Sequence, residues 1–166
     1  MGDGWELLKI RGIPLRVHPS WFVILTITTV VFQAQVAADV GTDLAVAITW
    51  CAGFLTALLL FVSVLLHELG HSLVALREGV KVRSITLFLM GGVARVEKEC
   101  GTPMGALRVA AAGPLVSLVL AGLLLGSVPM MQPSSPLAAN LLSQLGGLNL
   151  ALSLIHISEP TRPIHI

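Results

Sequence analysis

Charge is what this sequence has least of. Of its 166 residues, 11% are Asp, Glu, Lys or Arg, against about a quarter in an ordinary soluble domain. Hydrophobic residues make up 55%, and the mean hydropathy is +0.89. That balance excludes a globular domain with a solvated surface. A net charge of +1 points to no nucleic-acid partner. Cysteine is also scarce. Cys51 lies in an apolar run and Cys100 in a charged loop, which rules out a disulfide framework, a thiol redox pair and a zinc ribbon.

What is present is a succession of apolar runs. A membrane-spanning helix needs about 20 apolar residues, and the chain offers four such stretches, at about residues 21–38, 45–76, 103–128 and 137–157. The first follows basic residues and precedes a "VAAD" string, as a secretory signal would. Its 18 residues exceed the usual apolar core of about 7–15, and further spans follow, so it reads as an uncleaved first helix. Between the second and third runs, "VKVRSITLFLM", Gly91-Gly92 and "VARVEKE" are β-branched, partly alternating and broken by a turn dipeptide. That is the signature of a hairpin. The expected fold is an all-α polytopic membrane protein of about four transmembrane helices, with a small cytoplasmic β-hairpin between spans two and three.

Orientation follows from the basic residues. All nine Lys and Arg before the tail fall within residues 1–19 or 77–108. The positive-inside rule then places the N-terminus and the hairpin in the cytoplasm, with the chain multi-pass in the cell membrane and lipid as one of its partners.

The second run carries "HELGH", His67 to His71, which fits H-E-x-x-H. Residues four apart share one helix face, so both imidazoles can close on one ion while Glu68, one position round, reaches a water beside it. Zinc lowers the pKa of a bound water to about 7, and a neighbouring carboxylate can take its proton and pass it to a leaving amine. His67 and His71 are therefore candidate ligands to one Zn2+, and Glu68 the candidate catalytic base and acid. An ionisable residue within a membrane helix costs about 2.5–3.5 kcal/mol on insertion scales, and such residues mark function. The competing interpretation is an interfacial His and Glu cluster solvated by headgroups.

This helix resembles the active-site helix of the site-2 protease family, the intramembrane zinc metalloproteases. "RGIPLRVHPSWF" (Arg11 to Phe22), "LFLMGGVARVE" (Leu87 to Glu97) and "AAAGPLVSLVLAG" (Ala110 to Gly122) are similar to that family in the same order and spacing. The resemblance implies a metalloendopeptidase that cuts a transmembrane protein or peptide substrate. It also implies a hairpin near the active site that pairs with an unwound substrate, main chain to main chain. On the residues alone, a plain connector between spans serves as well.

The resemblance further implies a third zinc ligand, an aspartate in an Asp-Gly motif on a later span, accompanied by Asn-x-x-Pro. Neither is present: after Met104 the acidic residues reduce to Glu159 and the histidines to His156 and His165. "LGGLNLAL" is similar to the start of the ligand-bearing span, whereas "LSLIHISEPTR" looks like a translated sequencing adapter. The expected organisation is a partial membrane core over residues 1–151 and a non-native tail over 152–166, with His156 and His165 solvated tail residues. A chain of that kind would bind zinc weakly and cleave little or nothing. Two other function classes remain, a non-catalytic membrane protein that holds a substrate helix and an ion-coupled transporter.

His18 reads as a headgroup or cap contact, and Trp5, Trp21 and Trp50 as interfacial anchors. Gly122 and Gly126, with Ala106, Ala110 and Gly113, read as small residues for close helix approach. Pro114 is expected to kink the third span.

Overall fold

The computed structural model describes residues 4–40, 45–88, 91–96 and 100–158. Four helices follow the four apolar runs: α1 (Ser20–Val40), α2 (Val46–Arg77), α3 (Pro103–Met131) and α4 (Pro136–Ser158). Each is long and apolar enough to cross a membrane. The chain is a multi-pass membrane protein. α4 runs without a break across position 152.

Lipid rather than water is the solvent for the outer surface, and the residue distribution follows. Leu55, Leu59, Val62 and Leu66 of α2 are exposed, while its inward stripe is made of small or polar residues: Ala52, Gly53, Thr56, Ala57, Ser63 and His67. Hydroxyls on that stripe are satisfied within the helix, Thr56 donating to the Ala52 carbonyl at 2.8 Å, because the hydrocarbon offers no other partner. Gly53 lets α2 meet α1. A Cβ there would lie 2.6 Å from the Gln33 nitrogen and 2.8 Å from the Thr29 carbonyl oxygen.

The glycines expected to serve helix approach divide sharply. Gly113 is buried and packs against α2, whereas Cβ atoms built at Gly122 and Gly126 meet nothing within 4 Å. The contact between α3 and α4 is made instead at Gly146, where a Cβ would lie 2.6 Å from Leu125 Cγ. α3 is one continuous helix through Pro114 and Pro129, started by Thr102, whose hydroxyl accepts from the Gly105 N–H at 3.1 Å.

The expected hairpin forms as β3 (Val82–Phe88) and β4 (Gly91–Val96), and it is half of a larger sheet. β1 (Trp5–Ile10) and β2 (Ile13–Val17) complete a four-stranded sheet in the order β1-β2-β3-β4, with β2 parallel to β3. The N-terminal pair is closed by a two-residue turn, Arg11 (φ 50°) and Gly12 (φ 84°). Positive φ at both positions is the hairpin geometry that matches strand twist. Ile13, Leu15 and Val17 are buried while Pro14 and Arg16 between them are less so, a period of two.

Those three side chains, with Ile85 and Leu87, form a core that receives Trp21, Leu65 and Leu69 from the helices. Burying an aliphatic side chain fully contributes about 1.5–3 kcal/mol, so this cluster fixes the sheet to the end of α2 where the histidine motif lies. Trp21 is more than an interfacial anchor. Its ring stacks edge-on with Phe61 at 5.3 Å and joins the sheet core to a second cluster between α1 and α2. Trp5 and Trp50 remain exposed. His18 is a cap: its Nδ1 meets the Ser20 hydroxyl at 2.8 Å and accepts from the Ser20 N–H at the start of α1.

Candidate active site

The site lies where the last three turns of α2 meet α3 and the edge of the sheet. α2 persists that far because its residues are helix formers without Gly or Pro clusters until Glu78-Gly79. There Gly79, at φ 79°, ends the helix and the Val80 N–H returns to the Ala75 carbonyl at 2.9 Å. The Arg108 guanidinium reaches Glu78 at 3.2 Å, tying the end of α2 to the first turns of α3.

His67 and His71 sit one turn apart on the face toward α3, as their spacing requires. Their Nε2 atoms are 3.1 Å apart and their ring centroids 4.8 Å apart. His67 is 1% exposed. Each ring is held from behind by α3: His67 Nδ1 meets the Ser117 hydroxyl at 2.8 Å, and His71 Nδ1 meets the Val109 carbonyl at 2.6 Å. A carbonyl can only accept, so His71 carries a proton on Nδ1, which leaves Nε2 as the ligating nitrogen of a neutral ring.

These residues suit a zinc ion in three respects. Two nitrogens on a tetrahedral zinc, with bonds of about 2.0–2.1 Å, are about 3.3 Å apart, close to the observed 3.1 Å. Zinc-ligating histidines commonly engage their second nitrogen with a carbonyl or other polar partner, as both do here. Gly113 keeps the space in front of both Nε2 atoms open. A Cβ there would lie 2.6 Å from His67 Nε2 and closer still to His71 Nε2. Among the described residues, no group of three or more His, Cys, Asp or Glu converges as a metal cluster. The side chain of His156 and the whole of His165 fall outside the described residues.

Glu68 points the other way round the helix, toward the sheet. The Ala94 backbone hydrogen-bonds its carboxylate, and a Cβ on Gly92 would lie 2.7 Å from Glu68 Cγ. β4 is the last strand in the sheet order, and its Ala94 is the residue whose backbone reaches Glu68. The hairpin therefore lies directly on the candidate base. α2 and α3 approach closely here: a Cβ on Gly70 would lie 3.0 Å from the Ala112 carbonyl oxygen.

The sequence motif singled out His67, Glu68 and His71, of which the structure sets the two histidines against α3 and Glu68 toward the sheet. It did not reveal Ser117, the Val109 carbonyl, Gly113 as the opening before the imidazoles, or the Ala94 contact. The available signal for the first three was the Gly113-Pro114 pair with a serine three residues on, in the apolar middle of α3.

Comparison with known proteins follows this geometry. Residues 55–158 match the model of peptidase family M50. A Synechocystis protein carrying the provisional name of a zinc metalloprotease is 48% identical over 160 residues, covering 95% of this chain and 41% of the relative. A zinc metalloprotease of Methanocaldococcus jannaschii is 40% identical over 120 residues, covering 72% of this chain and 31% of the relative. The solved site-2 protease from Methanocaldococcus jannaschii superimposes with a TM-score of 0.62 at 34% identity, covering 91% of this chain and 62% of that structure. The chain thus spans less than half the length of these two sequence relatives. With the motif, the fold and the relatives in agreement, the chain belongs to peptidase family M50, the family of the site-2 proteases.

Proposed function

We propose that the chain is part of an intramembrane zinc endopeptidase that cleaves a transmembrane substrate helix. The observation that carries this reading is the convergence of His67 and His71 on one point, each ring braced by α3, with Glu68 beside them under the edge of β4. His67 and His71 would hold one zinc ion, with the third protein ligand coming from outside the described residues, on an Asp-Gly-bearing span. Residues 152–166 are taken as non-native in this proposal. When bound, the ion supplies Lewis acidity that polarises a scissile carbonyl and acidifies water. Glu68 takes the proton of the attacking water and returns it to the leaving amine.

The free side of β4 offers main-chain groups to an extended peptide, and strand addition there would lay the substrate backbone beside Glu68. The basic residues of the sheet end support a cytoplasmic position for it, by the positive-inside rule. A second reading is a membrane protein that holds a substrate helix without hydrolysis. It draws on the absence, among the described residues, of a cluster of three metal-binding side chains.

One experiment separates them. The longer protein that contains this chain, loaded with zinc in detergent, is incubated with a labelled transmembrane substrate. Wild type is expected to cleave and Glu68→Gln to lose at least about 100-fold in rate, the scale of a general base, with zinc content unchanged. Equal cleavage by Glu68→Gln overturns the base assignment, and binding without cleavage by wild type establishes the second reading.

A further inference from the structure

We propose that β1 is a lipid-docking strand, whose Trp5, Leu8 and Ile10 lie on the headgroup layer of the membrane that the helices cross. The proposal is independent of the protease reading. Its starting point is the pairing of β1 with β2, in which Trp5 stands opposite Val17, Leu8 opposite Leu15 and Ile10 opposite Ile13. Residues directly opposite in an antiparallel pair share a face, so these three side chains extend the face on which Ile13, Leu15 and Val17 are buried. Glu6 and Lys9, opposite Arg16 and Pro14, take the other face. Their 3.6 Å ion pair agrees with that placement.

Plain alternation would not produce this division. In WELLKI a strict period of two groups Trp5 with Leu7 and Lys9, and Glu6 with Leu8 and Ile10. The register shift between Glu6 and Leu8 takes Leu7 in as an extra residue, and a bulge of that kind re-aims the side chains beyond it. The result is an edge strand with one apolar face and one charged face.

On β2 and β3 the apolar face packs against Trp21, Leu65 and Leu69 of the helices. On β1 it overhangs them, with Trp5 61% and Leu8 48% exposed. Apolar surface left in that state seeks another apolar phase, and the phase next to it is lipid. The Trp5 ring stands 6.2 Å from that of Phe22 in the first turn of α1, and Phe22, Val23 and Ile27 are exposed in turn on that membrane-spanning helix. The apolar face of β1 is therefore continuous with the lipid-facing surface of α1.

Depth follows from the main chain and from charge. β1 is the first strand in the sheet order, with β2 its one neighbouring strand among the described residues. A strand edge has no place in hydrocarbon, where main-chain polar groups find no partner; it suits the headgroup layer, where tryptophan also collects. In residues 4–17 and 77–88, Lys9, Arg11, Arg16, Arg77, Lys81 and Arg83 stand against Glu6 and Glu78, a surplus that complements anionic lipid. Because β1 to β4 form one sheet, a lipid-held β1 also fixes the depth of β4 beside Glu68.

The test places the full chain in nanodiscs of phosphatidylcholine and phosphatidylglycerol, with the phosphatidylcholine brominated either close to the headgroup or close to the chain end. The fluorescence of Trp5 is taken as the difference between wild type and Trp5→Phe. Bromine near the headgroup is expected to quench it about twofold or more over bromine at the chain end, as for an interfacial ring, while acrylamide from the water quenches it weakly. Leu8→Gln and Lys9→Gln then put the same side chain on the two faces of β1. The first should lower the lipid quenching and raise that by acrylamide, and the second should change neither.

Free access of acrylamide to Trp5 without quenching by either lipid overturns the proposal, since the strand then lies in water. Protection from acrylamide and from both lipids overturns it too, because a second copy or another protein segment then covers the face. Stronger quenching by chain-end bromine refutes the headgroup depth. Equal effects of Leu8→Gln and Lys9→Gln refute the assignment of the lipid-facing side.

Discussion

Replacing Gly113 by alanine adds one methyl group where the two candidate ligands face α3. That carbon would sit 2.6 Å from His67 Nε2 and from His71 Cδ2, and nearer still to His71 Nε2. Ordinary contacts begin about 1 Å further out, so the rings or the helices must give way. Neither moves freely: His67 and His71 are both held to α3, at Ser117 and Val109, and Gly70 already lies close to Ala112. Overpacking of this kind costs about 1–3 kcal/mol, and at about 1.4 kcal/mol per factor of ten the loss in zinc affinity is about 5- to 150-fold. Gly122→Ala is the control. It lies on the same helix, and a Cβ there meets nothing within 4 Å, so it should be neutral or stabilise by up to about 1 kcal/mol through helix propensity. Zinc affinity by chelator competition and thermal unfolding in detergent are measured for both. Gly113→Ala binding zinc as tightly as wild type, with unchanged stability, would refute the placement of Gly113 before the imidazoles.

Gly92→Ala should push the Glu68 side chain aside, because the new carbon falls 2.7 Å from its Cγ. Cleavage by the zinc-loaded protein is expected to fall about tenfold or more while zinc affinity changes little; parallel loss of both would contradict a contact confined to Glu68. Gly53→Ala, against the backbone of α1 at Gln33 and Thr29, should destabilise the helix pair by about 1–3 kcal/mol, seen as a lower unfolding midpoint with the metal site unaltered. Arg108→Ala should cost no more than about 1 kcal/mol, since its side chain is 64% exposed. A larger drop in that midpoint would mean that the Glu78 contact holds more of α3 than its geometry indicates.

Much of this protein was legible in the order of its residues. In hydrocarbon every main-chain polar group must find an internal partner, so four long apolar runs had to become four helices, and their ends agree with the expected spans within a few residues. The four-residue spacing of His67 and His71 likewise dictated a shared face. The β3–β4 hairpin was visible in its turn dipeptide, but β1 and β2 were not. Residues 5–17 carry mixed polar and apolar side chains, and their strand character comes from pairing with a segment about 70 residues away, Leu15 opposite Ile85.

What only the tertiary structure decided was everything that depends on a neighbour distant in sequence. Small residues alone did not distinguish Gly113, which opens the space before the imidazoles, from Gly122 and Gly126, which face nothing. That difference is one of helix rotation, set by packing over the whole interface. Nor could local pattern tell that a serine 50 positions beyond His67 would stand behind its ring, or that the edge of β4 would rest on Glu68. The sequence by itself determined which residues could bind a metal and which segments must lie in the membrane, because both follow from periodicity and solvation along one helix. The fold decided which groups those residues meet and what covers them, because a hydrogen bond between elements exists only once the elements have met.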